Sequence, residues 1–112
     1  MSTYTPDLWS IVKVTLNGNT HYRVFASWYG GFSSGDSWKL SSGTTGCSIF
    51  KDAYLLRQES GSLYECRFFA YGMSRYSQSV FNEMSLDGIN NGYDIQLLSE
   101  KKAQTYINGL LA

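Results

Sequence analysis

The chain has 112 residues with nine basic and nine acidic side chains, so its formal net charge is zero. This balance argues against a non-specific nucleic-acid-binding domain, which relies on a broad positive field. An aromatic content of 16% argues against disorder, and the length suits one domain, residues 1–112, that buries a core without metals or disulfides.

Alternating apolar and polar side chains predict five or six strands in the first 69 residues. Asn17-Gly18 and Gly61 each mark a hairpin turn, because asparagine and glycine accept a positive φ. Residues 1–8 are expected to be a loose polar start. The predicted strands are residues 9–16, 20–29, 37–41, 47–50, 53–58 and 62–69.

The apolar side chains then recur at helical spacing, with Ser74 or Ser77 as the N-cap of a helix and Gly88 as its stop. A further strand is predicted at residues 93–97, and Ser99 caps a second helix. A run of strands followed by helices indicates an α+β fold. We expect an antiparallel sheet of five to six strands with two helices packed on one face.

If the helices cover one face of this sheet, the other face is open. Alternation along the strands then turns Phe25 and Tyr29 outward together with most basic strand residues. Such a face suits an anionic partner, either nucleic acid or an acidic protein surface. The alternative is an ordinary solvated face, because lysine and arginine also deter edge pairing. The outward basic residues are Lys13, Arg23, Lys39, Arg57 and Arg67.

The glycine- and serine-rich loop at residues 30–36 is a second candidate contact surface. It is flanked by Tyr29 and Trp38 and contains Phe32 and Asp36. Aromatic side chains beside a loop of small residues commonly build a binding surface. Sugar stacking is an alternative for the same residues, although tryptophan in a small domain more often anchors the core.

Catalytic and metal-binding patterns are weak. His21 is the only histidine, and no local motif surrounds Cys47 or Cys66, although a histidine–cysteine pair is the one nucleophile–base combination available. One histidine and two separated cysteines are too few for a structural zinc site. No cofactor is expected, and a disulfide between the cysteines is left open.

The chain is expected to lie in the cytoplasm, because its first ten residues have neither a basic start nor a long apolar run. No apolar stretch is long enough to span a membrane. An exposed edge strand would allow a homodimer, so the chain is expected to be a monomer or a homodimer.

The stretches YRVFASWYGGFSSGDSWKLSSG and SGSLYECRFFAYGMSRYSQSVF resemble small proteins encoded by tailed bacteriophages and related mobile elements. The resemblance spans about residues 9–81 and brings no functional residues with it. It implies a single-domain protein made inside a bacterial cell. Proteins of this kind often bind and block a host machine, such as a CRISPR effector, a restriction system or a nuclease.

Together these observations predict a non-enzymatic protein-binding module that inhibits a host defence protein by occupying its surface. The alternative is a nucleic-acid-binding domain that uses the open basic face, and a third hypothesis is a small enzyme acting through His21 or Cys47. The residues expected to contact the partner are Arg23, Tyr29, Phe32, Asp36, Trp38, Lys39 and Arg57.

Overall fold

Eight strands and two helices form from residues 2–30 and 35–112, the part of the chain that the computed structural model describes. The fold is α+β, as predicted. The elements are β1 (Thr3–Tyr4), β2 (Leu8–Leu16), β3 (Asn19–Trp28), β4 (Ser37–Leu40), β5 (Thr44–Phe50), β6 (Ala53–Gln58), β7 (Leu63–Arg67), α1 (Arg75–Asn91), β8 (Tyr93–Leu97) and α2 (Glu100–Leu111).

The strands form two four-stranded sheets, so the prediction of one sheet of five to six strands is wrong. The first sheet has the order β4-β3-β2-β8 and the second has the order β1-β7-β6-β5. The chain changes sheets between β4 and β5. There the Ser41 N–H still bonds the Val24 oxygen of the first sheet, whereas the Gly43 oxygen accepts the Glu59 N–H of the second.

The predicted loose start is also wrong, because β1 pairs in parallel with β7. The Leu63 N–H donates to the Ser2 oxygen at 2.9 Å, which ties the first residues to the second sheet. All other strand pairs in the described residues are antiparallel.

Both faces of the first sheet are buried, and this corrects the expected open face. Ile11 pairs with Val24 on one face, whereas the next residue, Val12, pairs with Arg23 on the other. Ile11 and Val24 pack into the core against the second sheet and α2. Val12 and Phe25 pack into a second core that α1 covers. Phe25, which was expected to face outward, is therefore fully buried.

The two helices lie on opposite faces of the first sheet, so the prediction of two helices on one face is wrong. Phe81 of α1 packs beside Phe25, with ring centroids 6.3 Å apart. Ala103 and Ile107 of α2 are buried on the other side. Strands that are apolar on both faces give a nearly continuous hydrophobic pattern, from which sequence reasoning cannot tell one covered face from two.

The helix caps were partly predicted. Ser74 caps α1 by accepting the Ser77 N–H, and Ser99 caps α2 by accepting the Lys102 N–H. Gly88, however, does not stop α1. The helix continues to Asn91 and ends at Gly92, whose φ of 79° is the left-handed conformation that favours glycine. Gly88 lies against β8, where a Cβ would overlap the backbone oxygen of Tyr93.

Within residues 2–30 and 35–112, the second sheet is the one with an open face. Its outward rows include Arg57 opposite Gly46 and Leu63, and Arg67 opposite Ala53. The predicted grouping of Arg57 and Arg67 on one face is confirmed. Neither helix found among residues 2–30 and 35–112 is long and apolar enough to cross a membrane.

Candidate functional site

The predicted contact residues lie on several different surfaces. Arg23 lies on the α1 side of the first sheet, where its Nε donates to His21 Nε2 at 2.8 Å. Lys39 lies on the opposite face of that sheet, with its Nζ 5.1 Å from the centroid of the Tyr4 ring. Arg57 lies on the open face of the second sheet. The basic residues therefore do not form the single cationic face that was expected.

Trp38 is half-buried and belongs to the core beneath α1. Its ring stacks on Phe25 at a centroid distance of 5.5 Å and an interplanar angle of 21°. One edge of Trp38 also faces a surface cavity beside Val80 and Met84. This position gives the ring a packing role. Phe32 lies outside the described residues.

Asp36 and Tyr29 lie at the base of the loop between β3 and β4. The Asp36 Oδ1 accepts the Gly30 N–H at 3.1 Å, which joins the two ends of the loop. Tyr29 leaves 59% of its surface exposed, and its backbone N–H donates to Asp7 Oδ2 at 2.8 Å. The Tyr29 ring is therefore presented to solvent from an anchored backbone.

Asp7 links this loop to the end of β7. Its Oδ1 lies 4.0 Å from an Nη of Arg67, while its Oδ2 holds the Tyr29 N–H. The same Nη of Arg67 donates to the backbone oxygens of Pro6 and Asp7 at 3.3 and 3.4 Å. One carboxylate thus contacts both the backbone of an exposed tyrosine and the side chain of an arginine.

Phe69 extends from this arrangement with its side chain 100% exposed. The backbone on either side is held in place. The Phe68 N–H donates to the backbone oxygen of Asp52 at 2.9 Å, and the Trp9 N–H donates to the backbone oxygen of Ala70 at 3.0 Å. Trp9 Nε1 also donates to the Arg67 oxygen at 2.7 Å. The backbone on both sides of Phe69 is therefore anchored, while the Phe69 side chain lies in solvent.

A cavity of about 360 Å³ opens beside Phe69. Its charged lining consists of two carboxylates and one guanidinium, from Asp7, Asp52 and Arg67, so its formal charge is negative. The Asp7–Arg67 pair is the only ion pair among residues 2–30 and 35–112, which leaves Asp52 unpaired. We call the set Asp7, Tyr29, Asp52, Arg67 and Phe69 the Phe69 surface.

Phe69 and Asp7 were not predicted as contact residues, whereas Arg67 was predicted only as one of the basic residues of the open face in the nucleic-acid alternative. A signal for Phe69 was present: Tyr64, Cys66 and Phe68 alternate on one face, so the adjacent phenylalanine must point away from it. Because β7 ends at Arg67, Phe69 leaves the sheet and projects into solvent. The proximity of Asp7 to Arg67 depends on tertiary structure and had no sequence signal.

The groups considered for catalysis are not arranged for it. Burial raises the pKa of the Cys66 thiol well above its usual value, and burial also raises the pKa of Cys47, with Arg57 opposing the shift. Thiols of this kind are poor nucleophiles because little thiolate forms at neutral pH. His21 accepts its hydrogen bond from Arg23 rather than from a nucleophile.

Cys47 and Cys66 are both free. β6 lies between their strands, which separates them by two strand spacings of about 4.8 Å, beyond the roughly 7 Å limit for bridged Cα atoms. Within the described part of the chain, no three histidine, cysteine, aspartate or glutamate side chains gather as a metal site.

Comparisons of the chain with protein-family models, with curated proteins and with solved structures find no match. The functional argument therefore depends on the residues of the Phe69 surface and on general physical chemistry.

Proposed function

We propose that this protein is a non-enzymatic binding module whose partner is another protein, and that it binds this partner through the Phe69 surface. The observation that carries the proposal is the complete exposure of Phe69 on a backbone held by Trp9 and Asp52. An exposed phenylalanine has a free-energy cost in water, whereas the same ring is a strong anchor when a partner buries it.

The neighbours of Phe69 support a protein interface. Tyr29 and Arg67 belong to residue types that are enriched at interface hot spots, and Asp7 holds both in place. Anchors that are ordered before binding lose less conformational entropy when the complex forms. Two exposed aromatic side chains on anchored backbone beside an ion pair are therefore well suited to association with a protein partner.

The charges of the surface indicate the chemistry of the partner. Asp52 is exposed and unpaired, and the cavity has one more carboxylate than guanidinium groups. The complementary surface has an apolar pocket for Phe69 and a lysine or arginine near Asp52. The bacteriophage-like pattern adds a context: the partner is a host defence protein, such as a CRISPR effector or a nuclease, that this protein inhibits by occupying its surface in the bacterial cytoplasm.

The experiment compares three forms of the tagged protein in a nuclease-treated bacterial lysate. The forms are the wild type, Phe69→Ser and, as a matched control, Ile89→Ser. Ile89 is 78% exposed on α1, so its substitution removes a similar apolar side chain from a different surface. We expect the wild type and Ile89→Ser to retain the same stoichiometric protein, and Phe69→Ser to lose it.

Two results would contradict the proposal. If Ile89→Ser loses the partner and Phe69→Ser retains it, the binding surface is on α1. If the wild type retains nucleic acid from an untreated lysate and retains nothing from a nuclease-treated lysate, the ligand is nucleic acid. The alternative function predicted from the sequence then replaces this one. Circular dichroism of all three forms would verify that they are equally folded.

A further inference from the structure

β5 differs from the other three outer strands of the two sheets because it is neither short nor charged, and its one protective feature is the β-bulge between Thr44 and Gly46. β1 has only two residues, β4 carries the exposed Lys39, and β8 carries the exposed Asp94. Shortness and charge are the usual means of preventing association at a sheet edge. β5 has seven residues, TTGCSIF, without a charge or a proline.

The outer edge of β5 is unpaired in the described chain. β5 bonds only β6, and apart from that ladder no backbone group of Thr44–Phe50 is hydrogen-bonded to another backbone group in residues 2–30 and 35–112. Its second half, from Ser48 to Phe50, is exposed on both faces of the sheet. Ile49 and Phe50 leave 55% and 52% of their surfaces in solvent.

We propose that β5 pairs antiparallel with β5 of a second copy of this chain, joining the two second sheets into one eight-stranded sheet. This inference goes beyond the proposed function and does not depend on it, because it uses none of the residues of the Phe69 surface. The two-fold axis passes beside Ser48, so that Ser48 faces Ser48 of the second copy. The paired segment is Gly46–Phe50, which follows the β-bulge between Thr44 and Gly46.

Side-chain sizes along β5 fit this register. Phe50 lies opposite Gly46 of the second copy, on the same sheet face, and an aromatic ring commonly covers an edge glycine in this way. The Arg57 guanidinium already occupies the space where a Cβ of Gly46 would be, so Phe50 would contact its cationic plane. On the other face Ile49 lies beside Cys47 of the second copy.

The flanking charges favour the antiparallel direction. Lys51 follows β5, while the Glu59 carboxylate lies against Gly43 just before β5, where a Cβ would be 3.0 Å from the Glu59 carboxyl carbon. Antiparallel pairing brings Lys51 of each copy toward Glu59 of the other, and parallel pairing would bring Lys51 toward Lys51. Neither side chain has an ion-pair partner within residues 2–30 and 35–112, and the Lys51 Nζ lies 5.3 Å from the centroid of its own chain's Phe50 ring, at the end of the proposed interface.

The test is the molar mass of the purified protein, measured by light scattering and sedimentation equilibrium up to millimolar concentration. We expect the mass to rise from the 12.6 kDa of one chain toward twice that value. Ser48→Lys and Ser48→Glu should each remain at the mass of one chain, because like charges would meet at the two-fold axis. An equal mixture of the two variants should recover the dimer, which also shows that both are folded.

Ile89→Lys is the control, because it places a charge on the exposed apolar surface of α1 and should leave the dimer intact. A wild-type protein that keeps the mass of one chain at every concentration would overturn the inference. So would a dimer that Ser48→Lys leaves unchanged, or one that Ile89→Lys disrupts. Phe69→Ser should dimerise normally, so failure of this inference and failure of the proposed function give different results.

Discussion

The Oδ1 of Asp7 lies 4.0 Å from an Nη of Arg67 and joins the turn before β2 to the last residue of β7. These residues are 60 positions apart, and both side chains are partly exposed. Because solvent screens such a pair, its value lies in positioning rather than in stability. It places Arg67 and the Tyr29 backbone on the same carboxylate, next to the projecting Phe69.

The Asp7 carboxylate contributes to stability through its charge and through its hydrogen bond, and two substitutions separate these contributions. Asp7→Asn keeps an acceptor for the Tyr29 N–H and loses the attraction to Arg67, so its free energy of unfolding should fall by no more than about 1 kcal/mol. Asp7→Ala loses both and should cost about 1 kcal/mol more. Urea unfolding measures the difference. Equal losses in the two variants would show that the charge, and not the hydrogen bond, dominates.

Two helix glycines should respond to alanine in opposite directions. Gly88→Ala forces a Cβ onto the backbone oxygen of Tyr93, and overpacking of this kind costs about 1–3 kcal/mol. Gly109→Ala meets nothing within 4 Å and improves helix propensity by up to about 1 kcal/mol. Thermal and urea unfolding should show Gly88→Ala below the wild type and Gly109→Ala above it. A Gly88→Ala protein as stable as Gly109→Ala would contradict the packing of α1 on β8.

Stability should decline in alkaline solution because three tyrosines resist ionisation in the folded state. Burial raises the pKa of Tyr64, Tyr71 and Tyr106 from 10.0 to about 12. Between these values the unfolded chain loses phenolic protons that the folded chain keeps, so the free energy of unfolding falls as pH rises from 10 to 12. The stabilisation from these phenols is complete below pH 10.

Tyr71→Phe isolates one of these contributions. The slope of the free energy of unfolding against pH should become shallower by up to about 1.4 kcal/mol per pH unit between pH 10 and 12. The variant should also be less stable at neutral pH, because the hydroxyl accepts the Ile11 N–H and donates to the Leu98 oxygen. An unchanged slope would mean that Tyr71 ionises equally easily in the folded and unfolded chain.

Neither thiol should react readily while the protein is folded. Cys66 is fully buried and Cys47 is 8% exposed, and burial raises the pKa of both thiols. A thiol-specific probe at neutral pH should label Cys47 slowly and Cys66 more slowly still, and denaturant should make both rates equal and fast. Cys47→Ser and Cys66→Ser assign the two phases. Rapid labelling of Cys66 in the folded state would contradict its position in the core.

Local signals in the sequence predicted local structure well. Asn17 and Gly18 both have positive φ values at the first hairpin, and Gly61 does so at the second. The strand predicted at residues 93–97 and the cap at Ser99 have the same positions in the structure. These features depend on the backbone preferences of a few adjacent residues, and those preferences follow directly from the residue types.

The division into two sheets and the composition of the binding surface could not be predicted from local sequence signals. Val12 and Val24 are both apolar but face opposite ways, because each face of the first sheet is covered by a different layer. Tyr29 was predicted as a contact residue and does lie at the candidate site. Its neighbours Asp7 and Arg67 come from distant parts of the chain, so only the tertiary fold brings the three together.

The most direct test of the central claim is the footprint of the captured partner, measured by amide hydrogen exchange of the free and bound protein. We predict that binding slows exchange at Tyr29 and at residues 67–70, around the Phe69 surface, and leaves the exposed face of α1 at Leu86 and Ile89 unchanged. Slower exchange confined to α1, with residues 67–70 unaffected, would contradict the account.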